Sequence, residues 1–195
     1  MTPRNSVPRL TIDPDLLQPS AELDRDDRAA ALRLLSLHED GRCEMRLARP
    51  IRKAGLDEPL RSRVRSLLPL RPVELGGDFL SGRSSIIAVR FSLEDIAVKE
   101  LTEELQVLLE FAEELAPLLY PEVGRGAGRK TRARHRKDAA RLVAHRRDGR
   151  DIFVTRDSDI LANRAMLLKR HAITVMGPVE AVGQVERRRD PATGN

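Results

Sequence analysis

Apolar and polar residues alternate over 9–13 and again over 42–47, and both stretches predict short strands. Between them, residues 24–39 carry Ala30, Ala31, Leu34, Leu35 and Leu37 at helical spacing. Asp24, Asp26 and Asp27 suit the positive end of that helix's dipole, and Asp40-Gly41 ends it. From Ala48 onward the periodicity weakens. Residues 60–68 predict a short helix, 70–83 resist assignment, and 85–91 read as a strand through Ile86, Ile87, Val89 and Phe91. Ser92-Leu93-Glu94-Asp95 resembles a capping box that opens a leucine-rich helix over 94–120, closed by Pro117 and Pro121. The last third predicts a helix at 137–148 ending at Gly149, a buried strand at 151–155 and a helix at 158–170. A strand at 173–176 and a helical turn at 178–182 follow.

Strands that alternate with helices in this way argue for a parallel sheet in an α/β fold. The polar, proline-containing residues 1–8 and the charged tail 184–195 are expected to be flexible, with one domain over 9–183. Within it, 48–92 stand out as an insertion. Residues 124–137, GRGAGRKTRARHRK, read as a flexible cationic loop.

Composition narrows the classes. A formal charge of +5 favours an anionic polymer as partner. One tyrosine, four phenylalanines and no tryptophan argue against a stacking platform for bases, and base contacts are expected to rest on arginine. A single cysteine, Cys43, excludes an internal disulfide and a Cys-rich zinc site, and fits a small core residue. No apolar run reaches the roughly 20 residues a membrane span needs, and MTPRNSVPRL lacks the apolar run of a signal peptide. The expected location is cytoplasmic, with no membrane partner.

Three predicted elements each place an aspartate at one end. Asp13 follows the first strand, Asp138 opens the helix at 137–148, and Asp157, with Asp159 nearby, follows the strand at 151–155. In an open parallel sheet, ligands bind beyond the carboxyl ends of the strands. Carboxylates gathered there repel one another unless a divalent cation joins them, and all-oxygen donors suit Mg²⁺ or Mn²⁺. Taken singly, Asp138, Ser158 and Asp159 also fit helix caps. His145 lies on nearly the same helical face as Asp138 and reads as a packing residue.

The strings LTIDPDLL, KDAARLVAH, GRDIFVTRDSDIL and HAITVMGPVEAV, in that order, resemble the PIN domain family of metal-dependent ribonucleases. The resemblance covers about residues 9–47 and 130–183. It implies a three-layer α/β/α fold with a mostly parallel central sheet of about five strands. It also implies an Mg²⁺- or Mn²⁺-dependent endoribonuclease, extending to the toxin kind that an antitoxin-like protein partner holds. Asp13, Asp138 and Asp157 match the family's metal-binding acids, Asp159 an auxiliary acid, and Thr155 the hydroxyl that organises the late turn. The second acid departs from the pattern. Glu44 is the nearest candidate but lies inside its strand, while Asp57 and Glu58 lie further on; Asp15 stands where the family often has a small polar residue. Arg125, Arg129, Lys130, Arg132 and Arg134 are the expected phosphate contacts.

Two alternatives accompany this reading. The departing second acid motivates a degenerate PIN-like module that binds RNA or protein without cutting. Asp13-x-Asp15 after a strand also resembles the first motif of haloacid-dehalogenase-like phosphatases, although no well-placed Ser/Thr and Lys pair completes it. The leucine-rich helix at 94–120 reads as core or as the face of a homodimer.

Overall fold

The computed structural model describes residues 7–18, 24–51, 56, 58–70 and 129–188. The chain divides into two compact units. One holds the described residues up to Leu70 and from Gly149 onward; the other holds Arg129–Asp148.

The first unit is built on a parallel sheet. Its strands are β1 (Arg9–Ile12), β2 (Glu44–Leu47), β3 (Ile152–Val154) and β4 (Thr174–Met176), in the order β2-β1-β3-β4. Leu10 pairs with Met45 on one side and Ile152 on the other, and Phe153 pairs with Val175. The helices here are α1 (Arg25–Glu39), α2 (Glu58–Val64), α4 (Ser158–Ala162), α5 (Arg164–His171) and α6 (Pro178–Arg187). The second unit contributes α3 (Arg129–Arg147). An α/β fold with parallel strands is therefore present. No helix among the described residues is long and apolar enough to cross a membrane.

Side-chain alternation explains the core. Leu10, Ile12, Met45, Leu47, Ile152 and Val154 join one cluster with Ala31, Leu34, Leu35 and Leu37 of α1 and with Ala181 and Val185 of α6. Each fully buried leucine contributes about 1.5–3 kcal/mol. Thr11 and Phe153, of opposite parity, are fully buried too. Both faces are thus withdrawn from water at β1 and β3, while β2 buries Met45 and Leu47 and leaves Glu44 and Arg46 half-buried. Cys43 belongs to this core, and burial pushes its thiol up to about 11, so it is a packing group rather than a nucleophile.

Several boundaries differ from the sequence reading. The second strand starts at Glu44, because Gly41 takes φ +67° and residues 41–43 are spent turning. The outer edge of β2 is then occupied by His38, whose Nδ1 lies 3.0 Å from the Cys43 carbonyl oxygen and 3.3 Å from the Met45 nitrogen. The basic stretch expected as a loop is helical from Arg129, so α3 runs 19 residues and Asp138 lies inside it. The helix expected at 158–170 is two helices broken at Asn163. The short turn at 178–182 extends as α6 to Arg187, so residues 184–187 are helix rather than tail. Pro8 is buried and its carbonyl accepts from the Glu44 nitrogen at 2.8 Å, which ties down the end of the segment expected to be flexible. The short helix expected at 60–68 is α2, which starts at Glu58 and stops at Val64, and a parallel bridge joins Leu47, the last residue of β2, to Pro69. Residues 1–6, the strand expected at 85–91, the helix at 94–120, Asp57 and Arg125 lie outside the described residues.

Helix α5 ends on Ala172 in the left-handed region (φ 54°, ψ 30°), on an exposed site. A Cβ is disfavoured there by about 1–2 kcal/mol, while glycine's looser unfolded chain returns about half of that. Ala172→Gly is expected to raise stability by about 0.5 kcal/mol. A urea midpoint that falls instead would contradict this backbone assignment.

Candidate functional site

The carboxyl ends of β1 and β3 lie side by side. Asp13 donates its N–H to the Val154 carbonyl at 2.9 Å, and Thr155 donates its own to Met176 at 3.1 Å, so the ladder runs out just where the polar residues begin. Asp13 then turns the chain. Its Oδ1 accepts from the Asp15 nitrogen at 3.4 Å and caps a single 3-10 turn, Pro14–Leu16. Pro14 favours that start, since its missing N–H has no partner to lose there.

Thr155 joins the two strand ends. It is fully buried, and its Oγ1 donates to Asp13 Oδ2 at 3.3 Å while accepting from the Asp157 N–H at 3.1 Å. One hydroxyl can serve both partners because it carries one donor and two acceptor lone pairs. Asp157 Oδ1 in turn accepts from the Asp159 and Ile160 nitrogens at 3.0 and 3.2 Å, capping α4. Asp13 is 4% exposed, Asp157 half-buried and Asp159 exposed. The acid-turn reading of Thr155 thus acquires a geometry: it connects Asp13 to the backbone of Asp157.

The other candidates are placed differently. Glu44 stands opposite Arg9 at the start of β2, so it lies at the amino-terminal edge of the sheet, away from Asp13. There its Oε1 takes a 2.6 Å bond from Arg150 Nη1, and that bond first of all holds the Glu44 carboxyl below the usual range. It does not join Asp13 and Asp157. Asp15 pairs through Oδ1 with Arg49 Nη2 at 2.5 Å. Asp138 belongs to the second unit, is 2% exposed, and pairs with Arg141 Nη2 at 2.9 Å one turn on. Because α3 begins at Arg129, Asp138 is an interior helix residue and not a cap. Arg129, Lys130, Arg132 and Arg134 fall in the first turns of α3. Among the described residues, no three His, Cys, Asp or Glu side chains gather as a set able to hold a metal ion.

Two arginines were not singled out by sequence. Arg150, whose side chain is 2% exposed, bonds the Leu10 and Glu44 carbonyls at 2.8 Å as well as the Glu44 carboxylate. Arg49, just past β2, brings a cation to the same edge as Asp13. Their partners are distant in sequence, and in an arginine-rich chain neither has a local signature. An open pocket of about 180 Å³ lined by Leu47, Ile51, Leu56, Val64 and Arg61, among others, lies off these acids and contains none of them.

The fold and this edge define a parallel α/β protein with carboxylates at the ends of adjacent strands. Comparison with protein-family models, curated proteins and solved structures finds no match for the chain.

Proposed function

We propose that the chain is a metal-dependent endoribonuclease of PIN-like fold, a three-layer α/β/α arrangement with a mostly parallel sheet of about five strands. The observation that carries this reading is the buried Thr155 hydroxyl linking Asp13 to Asp157 at the carboxyl edge. Such linkage orients carboxylates, which is what a site for a hard cation requires of its surroundings.

The donor set fits Mg²⁺ or Mn²⁺. Both groups are carboxylates, and Mg²⁺ is commonly held by one or two carboxylates with water and substrate phosphate completing its shell. Asp13 and Asp157 would hold the ion, with Asp159 as a further acid. When bound, such a cation lowers the pKa of water and screens charge developing on the scissile phosphate. Thr155 keeps Asp13 in one orientation by donating to Oδ2, and the α4 N–H groups do the same for Asp157 through Oδ1. The net charge of +5 favours a polyanion as substrate. Asp15, committed to Arg49, is poorly placed as the proton donor a phosphatase of the haloacid-dehalogenase kind needs.

The test is cleavage of an unstructured RNA with Mn²⁺, stopped by EDTA. Asp157→Asn should lose at least about a hundredfold in rate. Full activity in that variant ends the proposal, while RNA binding without cleavage by the native chain supports the degenerate, non-catalytic module.

A further inference from the structure

The carboxyl edge presents a difficulty for a polyanionic substrate. Asp13, Asp15, Asp157 and Asp159 all lie on the two turns that follow β1 and β3, and each repels a phosphodiester. A cation fixed among them would change that balance. Arg49 has the required position. The Ala48 N–H bonds the Ile12 carbonyl at 2.9 Å, so Arg49 emerges just beyond the level of Asp13 on the neighbouring strand. Pro50 follows it and confines the Arg49 backbone to extended conformations, so the side chain starts from a fixed point.

Among the described residues the guanidinium bonds Asp15 Oδ1 through Nη2. Such a single-point grip uses little of a five-donor fork. A phosphate accepts through two oxygens at once, which is the arrangement the fork matches. The pair is also within reach of solvent, the Arg49 side chain being 32% exposed and that of Asp15 44%.

We propose that Arg49 is the phosphate-binding cation of this edge: Asp15 parks its guanidinium beside Asp13, and a backbone phosphate of RNA takes it over when the strand enters. This rests on the ribonuclease reading for the identity of the polymer, yet it concerns binding alone. Asp15 is then a competitor for the phosphate, and the two residues act as a unit.

The experiment measures binding of a single-stranded RNA of about 20 nucleotides in EDTA, by fluorescence anisotropy across a salt series. Arg49→Gln should weaken binding about tenfold near 50 mM KCl and flatten the slope of log K against log salt by about 0.7. Arg49→Lys, a point charge without the fork, should fall between the two. Asp15→Asn should tighten binding about threefold in the native background and lose most of that gain beside Arg49→Gln. Additive effects of the two substitutions, an unchanged salt slope, or no RNA binding by the native chain each overturn the proposal. Circular dichroism of each variant separates unfolding from lost affinity, and Arg49→Lys supplies a charge-preserving check. If the native chain cuts RNA with Mn²⁺ while Arg49→Gln binds as well as it does, this inference fails and the ribonuclease reading stands. Arg49-dependent binding with no cleavage gives the reverse.

Discussion

Arg150→Met is expected to destabilise the protein by about 2–3 kcal/mol. The methionine keeps the apolar stem and removes only the guanidinium. Two carbonyls, of Leu10 and Glu44, lose a charged donor at 2.8 Å, and the Glu44 carboxylate loses its 2.6 Å partner. Because the Glu44 side chain is 45% exposed, it can rehydrate, which keeps the cost at the lower end of the range for broken buried pairs. The pH dependence has a definite sign. Arg150 lowers the folded pKa of Glu44, so the pair's contribution is complete above the unfolded carboxyl value and is lost as pH falls through the folded one. Urea unfolding at neutral pH should therefore separate the native chain from Arg150→Met more widely than unfolding in acid. A gap that is constant with pH would mean that the carboxylate contributes nothing.

Asp13→Asn should abolish Mn²⁺-dependent RNA cleavage, lowering the rate by about a thousandfold or more. The amide retains one oxygen, which can still take the Asp15 N–H or the Thr155 hydroxyl, so the fold should lose only about 1 kcal/mol. Charge is what disappears. The companion measurement is thermal: Mn²⁺ should raise the midpoint of the native chain and leave that of Asp13→Asn unmoved. A variant that melts as the native chain does, yet keeps both its cleavage and its Mn²⁺ shift, removes Asp13 from the site.

The parts of this molecule that could be read along the chain are those fixed by neighbours in sequence. Leu10 and Ile12, then Ile152 and Val154, alternate within their own strands; Asp13 follows β1 at once and Asp157 follows β3 within three residues. Thr155 was recognisable because its two partners include a residue two positions on. The start of α3 was hidden, since Gly124, Gly126 and Gly128 make the whole basic stretch look like loop although the run from Arg129 is rich in good helix formers. The break at Asn163 was hidden by an apolar spacing that continues across it. Glu44 was misplaced for a different reason. Its carboxylate could be assigned to an edge of the sheet only after the register set Arg9 opposite it, and its partner is 106 positions away.

One of the two inner strands, β1, is also the first of the four to be made. Leu10 meets Met45 on one side early, yet its other neighbour, Ile152, lies about four times as far along the chain, and each doubling of that separation adds about 0.6 kcal/mol of closure entropy. A ribosome therefore releases β1 with one flank open and must deliver all of the second unit before β3 can cover it. Folding of the first unit should be slow in its final step, with the joining of Asp13 to Thr155 among the last events. Assembly of the acidic edge and the docking of β3 on β1 are then one event, so a chain in which β3 has not yet paired carries no finished site.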